Sequence, residues 1–240
     1  MIQTHSLVLW KKAETREFYA YTKEAYEIMQ VLISYGICIP AYETVMRKKD
    51  AKLFDWNYDN FSKAVKKNVY KEGNTIFQDL GYIISFFSSL NNDKASGITL
   101  SIGNKNTKFV NALVINFSLS VDLYNMNVAS SVSDMFYDCV NTFKPFWGCI
   151  SNKKNIREYK KYLNDNRPTT VHWMNYWSDE IVNVLGTDKI QAVLDSCENC
   201  SFENGIFKIK PIAMNVDNEE DIKLQQMINS KLGLSCLHYD

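Results

Sequence analysis

Neither sign of charge is in excess in this sequence: 27 basic residues balance 27 acidic ones over 240 positions. A general nucleic-acid binder usually shows a basic surplus, so that class is disfavoured, as is an acidic disordered chain. Long hydrophobic runs are also missing. No uninterrupted apolar stretch approaches the roughly 18–20 residues that a membrane span needs. Near the start only Leu7 to Trp10 is apolar, with no basic segment before it and no small-residue cleavage pattern after it. The expectation is a cytoplasmic protein with neither nucleic acid nor membrane as partner. No long Gly/Ser/Pro linker marks off independent domains. A single domain over residues 1–240 is therefore expected, with the turn Asn164 to Pro168 as the best place for a junction between two halves.

Signature motifs are absent too. There is no Walker loop, no G-x-G-x-x-G after a strand, no G-x-S-x-G and no H-E-x-x-H. Acids are plentiful, but no spacing singles out a metal-binding or general-acid pair. No cofactor and no metal are expected. The six cysteines are scattered and read as reduced thiols. Cys197 and Cys200 have Cys-x-x-Cys spacing, yet a structural zinc site needs four ligands and no second pair exists. A thioredoxin-type role needs a preceding strand, whereas this motif follows a short helix, so free thiols are preferred.

Of the three histidines, His5 and His238 lie near the termini and only His172 has a rich context. An enzyme reading would use His172 as acid or base with a thiol such as Cys149 or Cys139, or with a carboxylate. No nucleophile elbow surrounds either thiol. A histidine hydrogen-bonded to main chain or to Asn175 is the plainer reading.

What the sequence does have is aromatic and apolar material, 13% and 46% of residues. Three- and four-residue spacing predicts a helix from Glu14 to about Ser34, ended by Gly36. A second helix is expected from Asp59, as its cap, to Lys71. Tyr82 to Ser88, Gly97 to Gly103 and Lys108 to Leu119 alternate like strands and suggest a meander. On the last of these, Phe109, Leu113, Ile115, Phe117 and Leu119 should share the apolar face. A helix from Asn127 to Asn141, a strand at Phe146 to Ile150 and a lysine-rich helix from Lys153 to Leu163 follow. Asn204-Gly205 marks a hairpin within Ser201 to Lys210. The closing helix should run from Glu219 to Leu232, capped by Asn218, with Ile222, Leu224, Met227, Ile228 and Leu232 inward. Helices mixed with short hairpins, without βαβ repetition, predict an α+β fold: an antiparallel sheet with helices packed on it.

The densest stretch is His172-Trp173-Met174-Asn175-Tyr176-Trp177-Ser178. Its spacing puts Val171, Trp173, Asn175 and Trp177 on one face of an extended segment and His172, Met174 and Tyr176 on the other. Ser178 then looks like the cap of a short helix through Leu185, and Thr187 like the cap of the next. This is the pattern of a central strand feeding a helix, with aromatics in the core and polar groups paired. Function should therefore lie on a surface elsewhere. Charge points to one: from Ser178 to Asp240 eleven acids face five lysines, a net −6, so the rest of the chain carries +6. Such asymmetry can steer an oppositely charged partner, and it can equally be an ordinary solvated surface.

The stretch from Thr169 to Ser178, followed by Ile181 to Leu185-Gly186, the Asn204-Gly205 hairpin and Lys231-Leu232-Gly233-Leu234, resembles the immunity-protein-52 family and related type VI secretion immunity proteins. The resemblance is best over residues 168–234. It implies a small cytoplasmic α+β protein, not an enzyme, that binds and neutralises a cognate bacterial toxin, often of nuclease type. An acidic surface would then meet a basic toxin face, with Asp195, Glu198, Glu203, Asp217, Glu219 and Glu220 as the candidate toxin-binding residues. His172, Trp173, Asn175, Tyr176, Trp177 and Ser178 would be structural. The competing readings are the enzyme centred on His172 and a structural subunit that presents an aromatic patch for assembly.

Overall fold

The computed structural model describes residues 3–155, 163–164 and 167–234. Most of the expected lysine-rich helix and the middle of the expected junction lie outside these residues. The fold is α+β. Its early elements are β1 (His5–Lys12), α1 (Phe18–Tyr35), β2 (Tyr42–Glu43), α2 (Tyr58–Lys67), β3 (Lys71–Glu72) and β4 (Thr75–Ile76). The middle supplies β5 (Tyr82–Phe87), β6 (Gly97–Ile102), β7 (Val110–Asn116), α3 (Met126–Phe143) and β8 (Trp147–Asn152). After the short pair β9 (Leu163–Asn164) and β10 (Arg167–Pro168) come β11 (Met174–Trp177), α4 (Asp179–Leu185) and α5 (Thr187–Leu194). The hairpin β12 (Ser201–Glu203) and β13 (Ile206–Lys208) precedes α6 (Glu219–Leu232). The chain forms two compact units that are discontinuous in sequence: Met1–Ser6, Asp122–Ser133 and Phe146–Asp240 make one, Leu7–Val121 and Asp134–Pro145 the other.

In the second of these units the strands run in the order β1-β7-β6-β5-β2. The expected meander is present, antiparallel throughout, with Leu100 opposite Leu113 and Ile84, and Ile98 opposite Ile115 and Phe86. These residues are buried, while the alternate positions Thr99 and Ser101 are half-exposed. That is how a sheet with one covered face reads in sequence. Helix α1 buries Tyr21, Ala25, Ile28, Met29 and Leu32, and Gly36 ends it in the left-handed conformation.

Two expectations fail here. Phe109 and Leu119 are exposed rather than in the core, because the β7 ladder spans only Val110–Asn116 and both residues lie past its ends. Helix α2 starts two residues earlier than expected: Asn57, not Asp59, is the cap, its side chain accepting from the Asn60 N–H. It also stops at Lys67, and Lys71 belongs to the exposed β3–β4 ribbon.

In the other unit the order is β12-β13-β11-β8, so β11 is central. Its antiparallel registers set Asn175 opposite Cys149 on one side and Phe207 on the other. The β12–β13 turn places Asn204 and Gly205 at φ 51 and 78, the paired positive values of a type I′ hairpin turn. A Cβ on Gly205 would lie 2.6 Å from the Trp177 carbonyl oxygen, so glycine is required there.

Helix α6 has the expected bounds, and Asn218 caps it through the Glu220 and Asp221 N–H groups. Its buried face differs from the apolar one expected. Asp221, Gln225, Ile228, Asn229 and Leu232 point inward, while Ile222, Leu224 and Met227 are half-exposed. The reason lies in what the helix covers. Val171 and His172 precede β11 outside the ladder, and their main-chain groups are met by side chains. The Asn229 Oδ1 accepts from the Val171 N–H at 2.9 Å, and the Gln225 Nε2 donates to the Val171 carbonyl at 2.7 Å.

Candidate functional site

The segment His172–Ser178 is a structural centre. Strand character begins only at Met174, but burial extends over Val171 to Asn175 and to Trp177, so both faces are covered. Trp177 stacks on Phe207 with ring centroids 5.0 Å apart, and the Trp173 indole N–H donates to the Lys210 carbonyl at 2.9 Å. Asn175 is fully buried. Its Oδ1 accepts from the His172 N–H at 2.9 Å, and its Nδ2 donates to the carbonyls of His172 (2.9 Å) and Phe207 (3.3 Å). The partnership expected between His172 and Asn175 therefore exists, but through the His172 main chain.

The His172 ring instead meets Ser151 Oγ through Nδ1 at 2.7 Å. Tyr176 is half-exposed at the hairpin. Ser178 stands at the N-cap position of α4, but its side chain makes no capping bond, and its N–H donates to the Phe146 carbonyl. Thr187 is likewise the first residue of α5, with Gly186 at the cap position.

Burial holds the His172 imidazole neutral, with its pKa lowered to about 3, and lowers His5 to about 4 against a hydrogen bond with the Met214 main chain. An unfolded histidine titrates near 6.5. As pH falls below that value the unfolded chain gains protons that the folded one refuses, so stability drops, levelling off only near pH 3–4. Between pH 6.5 and 5 the loss is expected to be about 1.5 kcal/mol for each histidine. Urea midpoints measured across that range, with His172→Gln as comparison, test it; a flat profile in the native protein contradicts the burial argument. A neutral ring closed off from solvent is poorly placed to exchange protons with a substrate.

The six candidate acids, Asp195, Glu198, Glu203, Asp217, Glu219 and Glu220, are all exposed. Five of them fall into two groups, and Glu220, in the first turn of α6, lies in the field of Lys223 without an ion pair to it among the described residues. Asp195, at the end of α5, Glu198 in the following turn and Glu203 on β12 pair with no cation among the described residues. Asp217 and Glu219 are engaged: Lys154 bonds Asp217 at 2.7 Å and Lys223 bonds Glu219 at 2.6 Å. These lysines hold both carboxyls below their usual range, Asp217 with added help from Gln3. Asp217 and Glu219 also line a small pocket of about 240 Å³ with Asn155, Val216 and Ile222. Among the described residues, no three His, Cys, Asp or Glu side chains are grouped to hold a metal ion, and no helix is long and apolar enough to cross a membrane.

A surface that the charge argument passed over lies on the outer side of α1, in the second unit. Tyr19, Lys23, Tyr26, Glu27, Val31 and Tyr58 line an open, mostly apolar groove of about 620 Å³. Tyr58 reaches both of the other tyrosines edge-on, at 5.8 and 5.6 Å. The signal was present in the sequence: Tyr19, Lys23, Tyr26 and Gln30 repeat at helical spacing on the side opposite the core residues.

With this geometry in hand, comparison with solved structures finds a fold in common. The Pseudomonas aeruginosa T6SS protein PA0821 resembles this chain. The two align with a TM-score of 0.61 at 10% sequence identity, over 96% of this chain and 72% of that one. At that identity the likeness is one of fold. No protein-family model and no curated protein matches the sequence.

Proposed function

We propose that this chain is an immunity protein of a type VI secretion context, which binds and neutralises a cognate bacterial toxin in the cytoplasm and is not itself an enzyme. The observation that supports this most is the fold held in common with a T6SS protein along nearly the whole chain. The resemblance of residues 168–234 to the immunity-protein-52 family points the same way. So does the burial of His172, the one residue around which an enzyme reading could be built. Asp195, Glu198 and Glu203 are exposed acids with no ion pair among the described residues, and a basic toxin face, such as a nuclease presents to its polyanionic substrate, would complement them.

The test is co-purification with the product of the neighbouring gene, which the proposal expects to be a toxic protein. A stoichiometric complex that survives gel filtration at low salt and loosens as salt rises is expected. Separate elution at both salt concentrations contradicts the proposal.

A further inference from the structure

The Cys-x-x-Cys motif is not absorbed by any of the above, and its geometry is specific. The Cys200 N–H donates to the Cys197 carbonyl at 3.0 Å, which closes a β-turn with Glu198 and Asn199 at its corners. Such a turn keeps the end Cα atoms within about 7 Å, inside the range that a disulfide can bridge. The two sulfurs already face each other at 2.8 Å, with the Cys200 thiol donating to Cys197, and both residues are half-exposed. Cys38, Cys139 and Cys149 are buried and out of reach of solvent oxidants.

We propose that Cys197 and Cys200 form a dithiol site that closes to an intramolecular disulfide by exchange with a small-molecule disulfide of the glutathione class. Cys197 attacks. The Cys200 thiol is the donor in the pair, and burial and the neighbouring Cys197 push it up and keep it protonated, which leaves Cys197 as the sulfur free to attack. The Cys197 thiolate displaces one small thiolate from the reagent, which takes up the proton that Cys197 gave. Cys200 then loses its proton and attacks Cys197 Sγ in the mixed disulfide. The Cys197–Cys200 bond forms, and the second small thiol leaves with that proton. Two thiols are oxidised and one small disulfide is reduced to two thiols. The turn makes the second step intramolecular, so the mixed disulfide does not accumulate. Closure would pin the turn that carries Glu198 and leads into the edge strand β12, whether or not those acids meet a partner.

The test uses the whole reduced protein in buffers of reduced and oxidised glutathione, quenched with acid, alkylated under denaturing conditions and read by peptide mass spectrometry. The expected result is loss of two hydrogens across Cys197 and Cys200, with no glutathione on either, while Cys38, Cys139 and Cys149 remain alkylated. In Cys200→Ser, glutathione should stay on Cys197. In Cys197→Ser, Cys200 should acquire it at least about tenfold more slowly. A stable glutathione adduct in the native sequence, a bond from either residue to Cys236 or another cysteine, or no oxidation in oxidised glutathione alone would each overturn the proposal.

Discussion

Replacing Asn175 with alanine is expected to destabilise the unit that contains it by about 3–5 kcal/mol. One side chain there serves three main-chain groups: it accepts from the His172 N–H and donates to the His172 and Phe207 carbonyls. The site is fully buried, so no water replaces it, and each orphaned group costs about 1–3 kcal/mol. These bonds also tie the chain entering β11 to β13 across the centre of the strand order. Asn175→Asp should do no better, because it removes the donors and buries a carboxylate. Trp147, Trp173 and Trp177 all belong to this unit, so tryptophan fluorescence in a urea titration gives the readout. A change below about 1 kcal/mol would mean that the segment is not the keystone described.

Reversing the charge of Asp195, Glu198, Glu203, Asp217, Glu219 and Glu220 together is expected to weaken toxin binding at low salt by tenfold or more. Each exposed pair contributes about 0.2–1 kcal/mol, so six give about 1–6 kcal/mol, enough for that loss. Most of it should appear as slower association, and rising salt should erase it. Asp217 and Glu219 already pair with Lys154 and Lys223, so reversing them also breaks contacts inside the molecule. The triple change at Asp195, Glu198 and Glu203 is the cleaner variant and should retain most of the effect. Unchanged affinity of the sextuple variant at low salt would remove the electrostatic account of the interface.

The meander, the Asn204-Gly205 hairpin and the bounds of α6 were legible because each rests on local chemistry. Alternation shows a one-sided sheet, Asn-Gly a type I′ turn, and Asn218 a cap. The inward face of α6 was not legible. Its amide side chains serve the main chain at Val171, and that pairing exists only once the segment is folded against the helix. The same cause hid the Ser151 partner of His172, which comes from the neighbouring strand. Phe109 and Leu119 misled because alternation continues past the point where the ladder stops. The acidic surface could be counted from sequence, but the count could not show that Asp217 and Glu219 are held by lysines while Asp195, Glu198 and Glu203 are not.

The most direct test of the central claim is growth. The product of the neighbouring gene, expected to be the toxin, is expressed from an inducible promoter, with and without this chain, and the cells are counted after induction. Restored growth with the native chain, lost with the Asp195, Glu198 and Glu203 reversal although that variant is folded and equally abundant, is the expected result. Cells that die equally with and without the native chain, while the toxin is active and the chain is present and folded, would contradict it.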